Sequence, residues 1–419
     1  MPTGRIIRVG STASGRSERR LKIIHAQKAM KTEPLIPRAA CPRAPATRLR
    51  TAFACGLLLL LLGLPVTVQA EDYTYTTNNG TITITGYTGS GGAVSIPAEI
   101  DGLVVTSIGP RAFSRITNLT SITMPNGITN IGQGAFSGCK NLRSVALGNG
   151  VTHIENVAFA DCSSLAGVRL PGKLVSIEPA AFSRCTSLIN VTIPASVTSI
   201  GDSPFGFCTN LVAIIVEPLN SSYSSADGVL FDKAQTTLIE YPGGKKGHYT
   251  IPDGVVRLQR LAFHACVGLT GVTIPKNVTN IGRACFGSCI SLTSVTVPNS
   301  IRSLGEFAFA GCSGLTNITI PDSVTSIEAG AFSRCASLPR VTIPASVTNI
   351  GAGAFSECLA LAGVYFQGNA PRMGNAVFGR DQFRRTQPSQ EINTIVYYVP
   401  GTTGWEASLG GRPTVLMKP

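Results

Sequence analysis

The stretch Ala181-Phe182-Ser183-Arg184-Cys185-Thr186-Ser187-Leu188-Ile189-Asn190-Val191-Thr192-Ile193-Pro194-Ala195-Ser196-Val197-Thr198-Ser199-Ile200-Gly201 decides the fold of this chain. Leu188 to Ile193 ends in an apolar–polar alternation with β-branched residues, so it predicts a short strand with Val191 and Ile193 inward. Pro194 stops it, because proline cannot continue a ladder from a strand interior. Val197-Thr198-Ser199-Ile200 is a second short extended piece, and Gly201 turns the chain. Ala181 to Cys185 spans about one helical turn, which predicts Ala and Cys on one inward face.

Outward from that stretch, the same unit recurs. Phe113, Phe136, Phe159, Phe182 and Phe205 are 23 residues apart, and so are Phe263, Phe286, Phe309, Phe332, Phe355 and Phe378. The unit is close to Leu-x-x-Val-Thr-Ile-Pro-x-x-Val-Thr-x-Ile-Gly-x-x-Ala-Phe-x-x-Cys-x-x. One such coil cannot bury its own interior, but stacked coils can. The chain of 419 residues is therefore a repeat array, in which each unit packs on its neighbours, rather than two or three globular domains.

The repeat also reinterprets the cysteines. Nine of the twelve stand three residues after the anchor: Cys139, Cys162, Cys185, Cys208, Cys266, Cys289, Cys312, Cys335 and Cys358. Adjacent coils would bring them to about 4.8 Å, a separation that permits disulfides. An odd ladder of identical interior positions reads instead as buried, reduced packing residues, and Cys285 as a replacement for the alanine of Ala-Phe. There is no Cys-x-x-Cys pair and no clustered histidine, so no metal site is expected. His153, His248 and His264 stand at unrelated phases, and no Gly-x-Ser-x-Gly nucleophile motif occurs, so neither an enzyme nor a cofactor is expected.

From about Val105 to Phe378 the residues resemble the bacterial BspA-like leucine-rich repeats, with their Ile-Pro-x-x-Val-Thr-x-Ile-Gly-x-x-Ala-Phe-x-x-Cys-x-x-Leu consensus. The resemblance implies an α/β repeat solenoid. It would be a right-handed, curved leucine-rich-repeat superhelix, strand-rich with single helical turns and a parallel sheet on one side. It also implies a bacterial protein that is secreted or surface-exposed, of a kind in which some members bind host proteins or other cells.

Three regions depart from the period. Residues 71–104, with Tyr73, Tyr75 and the turn signal Asn79-Gly80, predict a β cap on the first coil. Repeats then fill residues 105–216 and 251–380. Between them, Phe205 and Phe263 are 58 apart, and residues 217–250 predict an insertion with a β-hairpin protruding from the array. Insertions of this kind often lie on a binding face, although long surface loops also cost little. Residues 381–419 predict a polar loop, then the strand Thr394 to Pro400, with Trp405 packing on the last coil.

The net charge of +13 belongs mainly to the start of the chain. Residues 1–50 hold twelve Lys and Arg against two acids, so a nucleic-acid reading built on overall charge fails. Arg43, Arg48 and Arg50, the apolar run Gly56 to Leu64, Pro65, and Val68-Gln69-Ala70 follow the order of a secretory signal. Residues 1–70 thus predict a basic extension and a signal peptide cleaved near Ala70, with no membrane span afterwards. Residues 1–29 read as an overlong start before Met30.

One residue of each first strand points outward: Thr123, Ala146, Arg169, Thr192, Ile215, Thr273, Thr296, Thr319, Thr342 and Tyr365. Threonine suits a sheet face by itself. Arg169, Ile215 and Tyr365 break the column, as does nearby Arg340, and these four are the first partner-binding candidates. Tyr223, Lys245 and Lys246 of the insertion are added. The expected function is binding of a protein or glycan by a monomer, through the sheet face or the insertion. Alternatives are a structural spacer with no ligand, and a threonine array that binds ice or a crystal.

Overall fold

The computed structural model describes residues 72–379 and 393–418. The signal-peptide reading, Cys41, Cys55 and the stretch 381–391 lie outside the described residues.

Each coil has three sides. The first carries the strand of Leu-x-x-Val-Thr-Ile, stacked parallel on its neighbour with a shift of 23 residues: Ile122 pairs with Val145, and Val295 with Ile318. The second carries the two-residue strand of Val-Thr-x-Ile, likewise parallel, as in Ile131 beside Ile154 and Ile327 beside Ile350. The solenoid thus has two parallel ladders. Alternation sets their faces: Val191 and Ile193 are buried, and Thr192 between them is exposed.

The third side corrects the expectation of helical turns, since the described residues contain no α-helix. The residue two before each anchor has positive φ, as in Arg111, Val157, Ala180 and Phe307. So has the residue two after each anchor for which φ is described, as in Arg115, Asp161, Arg184 and Glu357. A right-handed helix cannot pass through two left-handed residues four apart. The segment instead forms successive β-turns with positive φ at the third position, the type II signature; Ala112 N–H, for instance, bonds to Gly109 C=O. Alternate N–H groups point along the array. Phe136 donates to Ala158 C=O at 2.7 Å and Phe332 to Ala354 C=O at 2.8 Å. The turns therefore make a third intercoil ladder, and most of these positive-φ positions are not glycine.

Inside the turns, the phenylalanines stack ring on ring. Centroids from Phe113 to Phe205 lie 4.9 to 5.6 Å apart, and from Phe263 to Phe378 4.8 to 5.9 Å. Offset stacking adds about 0.5–1.5 kcal/mol per pair beyond the area buried. The cysteines beside the rings are all free and buried. Each ladder thiol donates to the carbonyl of the preceding anchor; Cys312 Sγ lies 3.0 Å from Phe286 O, and Cys335 Sγ 3.2 Å from Phe309 O. The position is small, apolar and carries one weak donor, which cysteine supplies and alanine does not. Burial pushes the Cys139 thiol up to about 11, away from the reactive thiolate.

The insertion does not protrude. Tyr223–Ala226, Val229–Asp232 and Thr237–Glu240 form an antiparallel meander. Val229, Phe231 and Leu238 join the apolar core of the second array, whereas Leu230 and Ile239 join that of the first. The last two strands are thus a partition with one face in each core. The 58-residue gap also hides a regular coil. Tyr241 takes the anchor position, donating its N–H to Ala262 C=O at 2.7 Å and stacking on Phe263 at 5.0 Å. Gly247–Thr250 is its first strand and Arg257–Leu258 its second. Gly244 allows closure onto the preceding coil, since a Cβ there would come within 2.5 Å of the Asn210 carbonyl carbon.

Aromatics cover both ends. Tyr73–Asn78 and Thr81–Tyr87 form a hairpin whose Tyr87 stacks on Phe113 at 5.1 Å. At the far end Trp405 stacks on Tyr398 at 4.8 Å and meets Phe366 edge-on.

Candidate binding interface

The outward column of the first ladder is open to solvent along both arrays. Arg169 is exposed beside a shallow groove of about 440 Å³ that also touches Asn190, Thr192 and Glu217. Ile215, 47% exposed, stands in register with Thr192. Ile189 and Val212, just before the same two strands, are exposed as well.

On the second array Arg340 pairs with Gly363, and Thr342 with Tyr365. The Tyr365 ring lies back over Gly363, where a Cβ would come within about 3 Å of it. Tyr397 continues the column and stacks on Tyr365 at 4.8 Å and 8°. The structure thus brings Arg340 and Tyr365 onto neighbouring strands and adds Tyr397 to them. That third residue was visible in sequence only as part of a terminal strand outside the 23-residue phase.

The insertion candidates are placed differently. The Tyr223 hydroxyl accepts the Ile200 N–H at 2.9 Å, closing the end of the second ladder in the first array. Lys245 is mostly buried and its Nζ bonds both the carbonyl and the carboxylate of Asp227 at the hairpin tip, at 2.8 and 2.9 Å. Both side chains hold the partition in place. Lys246 is exposed. Arg169 and Ile215 lie on one side of the insertion, and Arg340 and Tyr365 on the other.

Sequence reasoning missed Glu240, which is buried at the partition. Its carboxylate accepts the Phe205 N–H at 3.2 Å and the Ser203 hydroxyl at 3.4 Å. Burial pushes it up to about 8, against the lowering by those two hydrogen bonds. It is a structural acceptor at the seam of the two cores. Among the described residues no group of His, Cys, Asp and Glu could hold a metal ion, and no helix is long and apolar enough to cross a membrane. His248 bonds Thr273 Oγ1 at 2.8 Å, and His264 packs edge-on against Phe207.

These features define a class: a strand-built repeat solenoid whose side chains are spent on intercoil packing, with open sheet and turn sides. The BspA type leucine rich repeat model matches residues 106–231 and 249–395 in six copies, more than half of the chain. The chain belongs to that family. It is 31% identical to a leucine rich cell surface protein from Faecalibacterium prausnitzii, covering 70% of this chain and 93% of that one, with a TM-score of 0.52. It also shares its fold with the pneumococcal vaccine antigen PcpA, at 21% identity, 84% and 98% coverage and a TM-score of 0.55. No curated protein matches the chain in sequence.

Proposed function

We propose that this is an exported, non-enzymatic interaction protein, secreted or held at the cell surface, that acts as a monomer. It binds a protein partner through the face of its first ladder. The observation that carries this reading is the outward column. Nearly every inward position is explained by packing, but a sheet face needs only threonine, and here it shows Arg169, Ile215, Arg340 and the Tyr365–Tyr397 stack. Arginine and tyrosine are the residue types that dominate binding energy at interfaces. Export is supported by the basic, apolar and small-residue order of residues 43–70, and by the cell surface description of the Faecalibacterium protein.

Capture of partners from host-cell surface extracts by residues 71–419 tests the reading. The variant Arg169→Ala/Arg340→Ala/Tyr365→Ala is expected to lose at least about tenfold in affinity, since each truncation at a hot spot costs more than about 1 kcal/mol. Unchanged binding by that variant would move the site off this face. No saturable partner at all would leave a structural spacer, which the continuous ring stacks and ladders suit equally well. Amino-terminal sequencing of the exported protein checks the cleavage, with Glu71 as the expected first residue.

A further inference from the structure

The turn side of the second array carries a groove of about 550 Å³ that the sheet-face reading does not use. Arg260, Arg283 and Arg334 line it, with His264 and Phe307, over a floor of small residues such as Gly287 and Gly311. No carboxylate is among its lining residues. The acidic partners of the arginines sit outside it: Asp202 at 3.3 Å from Arg260, Glu306 at 3.4 Å from Arg283, and Glu357 at 2.8 Å from Arg334. Ion pairs between solvent-exposed side chains are weak, so the Arg260 and Arg283 guanidinium groups can turn to a ligand at little cost. The Arg260 pair uses Nη1 and the Arg283 pair uses Nε, out of the five donors each group carries.

Phe307 is the unusual member. It is 37% exposed and holds φ at 55°, a conformation that a bulky residue adopts only under strain. The same phase of the next two coils is Gly330 and Gly353. Its ring lies over Gly330, and the Arg283 guanidinium stands 5.5 Å from the ring centre. The main chain here has little left to offer. His264, Ala265, Gly287 and Ser288 N–H groups donate to Leu261, Gly287, Ala284 and Ala310 carbonyls, so an extended peptide would find no ladder to join. Recognition falls to guanidinium groups and an aromatic ring.

We propose that this groove binds an acidic oligosaccharide, with a sugar ring packed against the exposed part of Phe307 and its carboxylate or sulfate groups on Arg260 and Arg283. Bidentate guanidinium contacts fit either anion. The inference concerns the turn side alone, so its failure would leave the sheet-face reading intact.

Isothermal titration of residues 71–419 tests it, with a sulfated heparin hexasaccharide, an oligogalacturonate, a neutral cello-oligosaccharide and a hexaglutamate peptide. The expected result is saturable binding of at least one acidic saccharide, weakened at least tenfold in Arg260→Gln/Arg283→Gln and in Phe307→Ala. Lys173→Gln, an exposed cation outside the groove, should bind as the parent does. Phe307→Gly suits the positive φ and keeps the ring test open should Phe307→Ala fold poorly. Preference for the sulfated or the uronate probe identifies the anionic group. Binding of neither acidic saccharide, equal binding by the groove variants, or binding of hexaglutamate alone would overturn the proposal.

Discussion

Phe332 and Phe205 are both anchors of the turn ladder, but their N–H groups end in different places. Phe332 donates to a main-chain carbonyl of the next coil, Ala354 at 2.8 Å. Phe205 donates to the side chain of Glu240. The first arrangement repeats without limit and does not titrate. The second ends one array and starts another, and places a buried ionisable group at the seam. The cores follow the same division, with Phe205 and Phe231 in separate apolar clusters. The 23-residue period is thus a local rule, and the molecule is two such arrays joined by a partition.

The largest expected effect comes from breaking a ring stack. Phe309→Ala should cost about 3–5 kcal/mol in denaturant unfolding, as large-to-small core changes do. Because repeat stability is carried by nearest neighbours, amide protection should fall around residues 284–338 and far less around 134–188. Equal loss in both arrays would mean that the partition does not separate them.

The seam gives the next effect. The folded Glu240 carboxyl is raised to about 8 from an ordinary 4.5. A raised acid binds its proton more tightly when folded, so this stabilisation is complete below about 4.5 and fades as pH climbs through 8. At about 1.36 kcal/mol per unit the loss is of order a few kcal/mol. Groups facing the carboxyl are Ser203 and the Cys208 thiol, whose own ionisation is suppressed by burial and by Glu240. Glu240→Gln keeps an acceptor for Phe205 and should flatten stability between pH 5 and 8.5.

A smaller effect concerns the thiol ladder. Cys312→Ala deletes the bond to Phe286 O and should cost about 1–2 kcal/mol, while the folded parent resists thiol-reactive reagents. Smallest is Val157→Gly. A β-branched residue at φ 51° is strained, and glycine should gain up to about 1 kcal/mol after its own entropy cost, read as a rise of a degree or two in melting temperature.

Much of this was legible in the sequence, because packing writes a period. The phases of Phe, Cys, Leu, Val and Ile placed the core and the exposed threonine column. The turn conformation was not legible. Ala-Phe-x-x-Cys fits a helical spacing, and only the left-handed residues on either side, such as Arg111 and Arg115, exclude it. Those positions accept Arg, Val, Ala or Asp, so no glycine signature marks them. The hidden coil was legible in principle: Tyr249-Thr250-Ile251-Pro252 followed by Val255-Val256-Arg257-Leu258 repeats the unit, with Tyr241 in place of phenylalanine and a 22-residue step. The candidate faces divide in the same way. Arg340 and Tyr365 break the monotony of a visible face and lie on neighbouring strands of it, whereas Tyr223 and Lys245 looked like surface groups and bond at the partition. The turn-side groove has no motif, because it assembles Arg260, Arg283 and Phe307 from separate coils at phases the consensus leaves free.

The most direct test of the two-array account is amide hydrogen exchange of residues 203–208 and 330–335, corrected for intrinsic rates, at pH 6 and pH 9. The account predicts that the first segment loses protection at pH 9 as Glu240 ionises, while the second, bonded to main-chain carbonyls, changes little. Equal behaviour of both segments, or a loss at pH 9 that persists in Glu240→Gln, would contradict it.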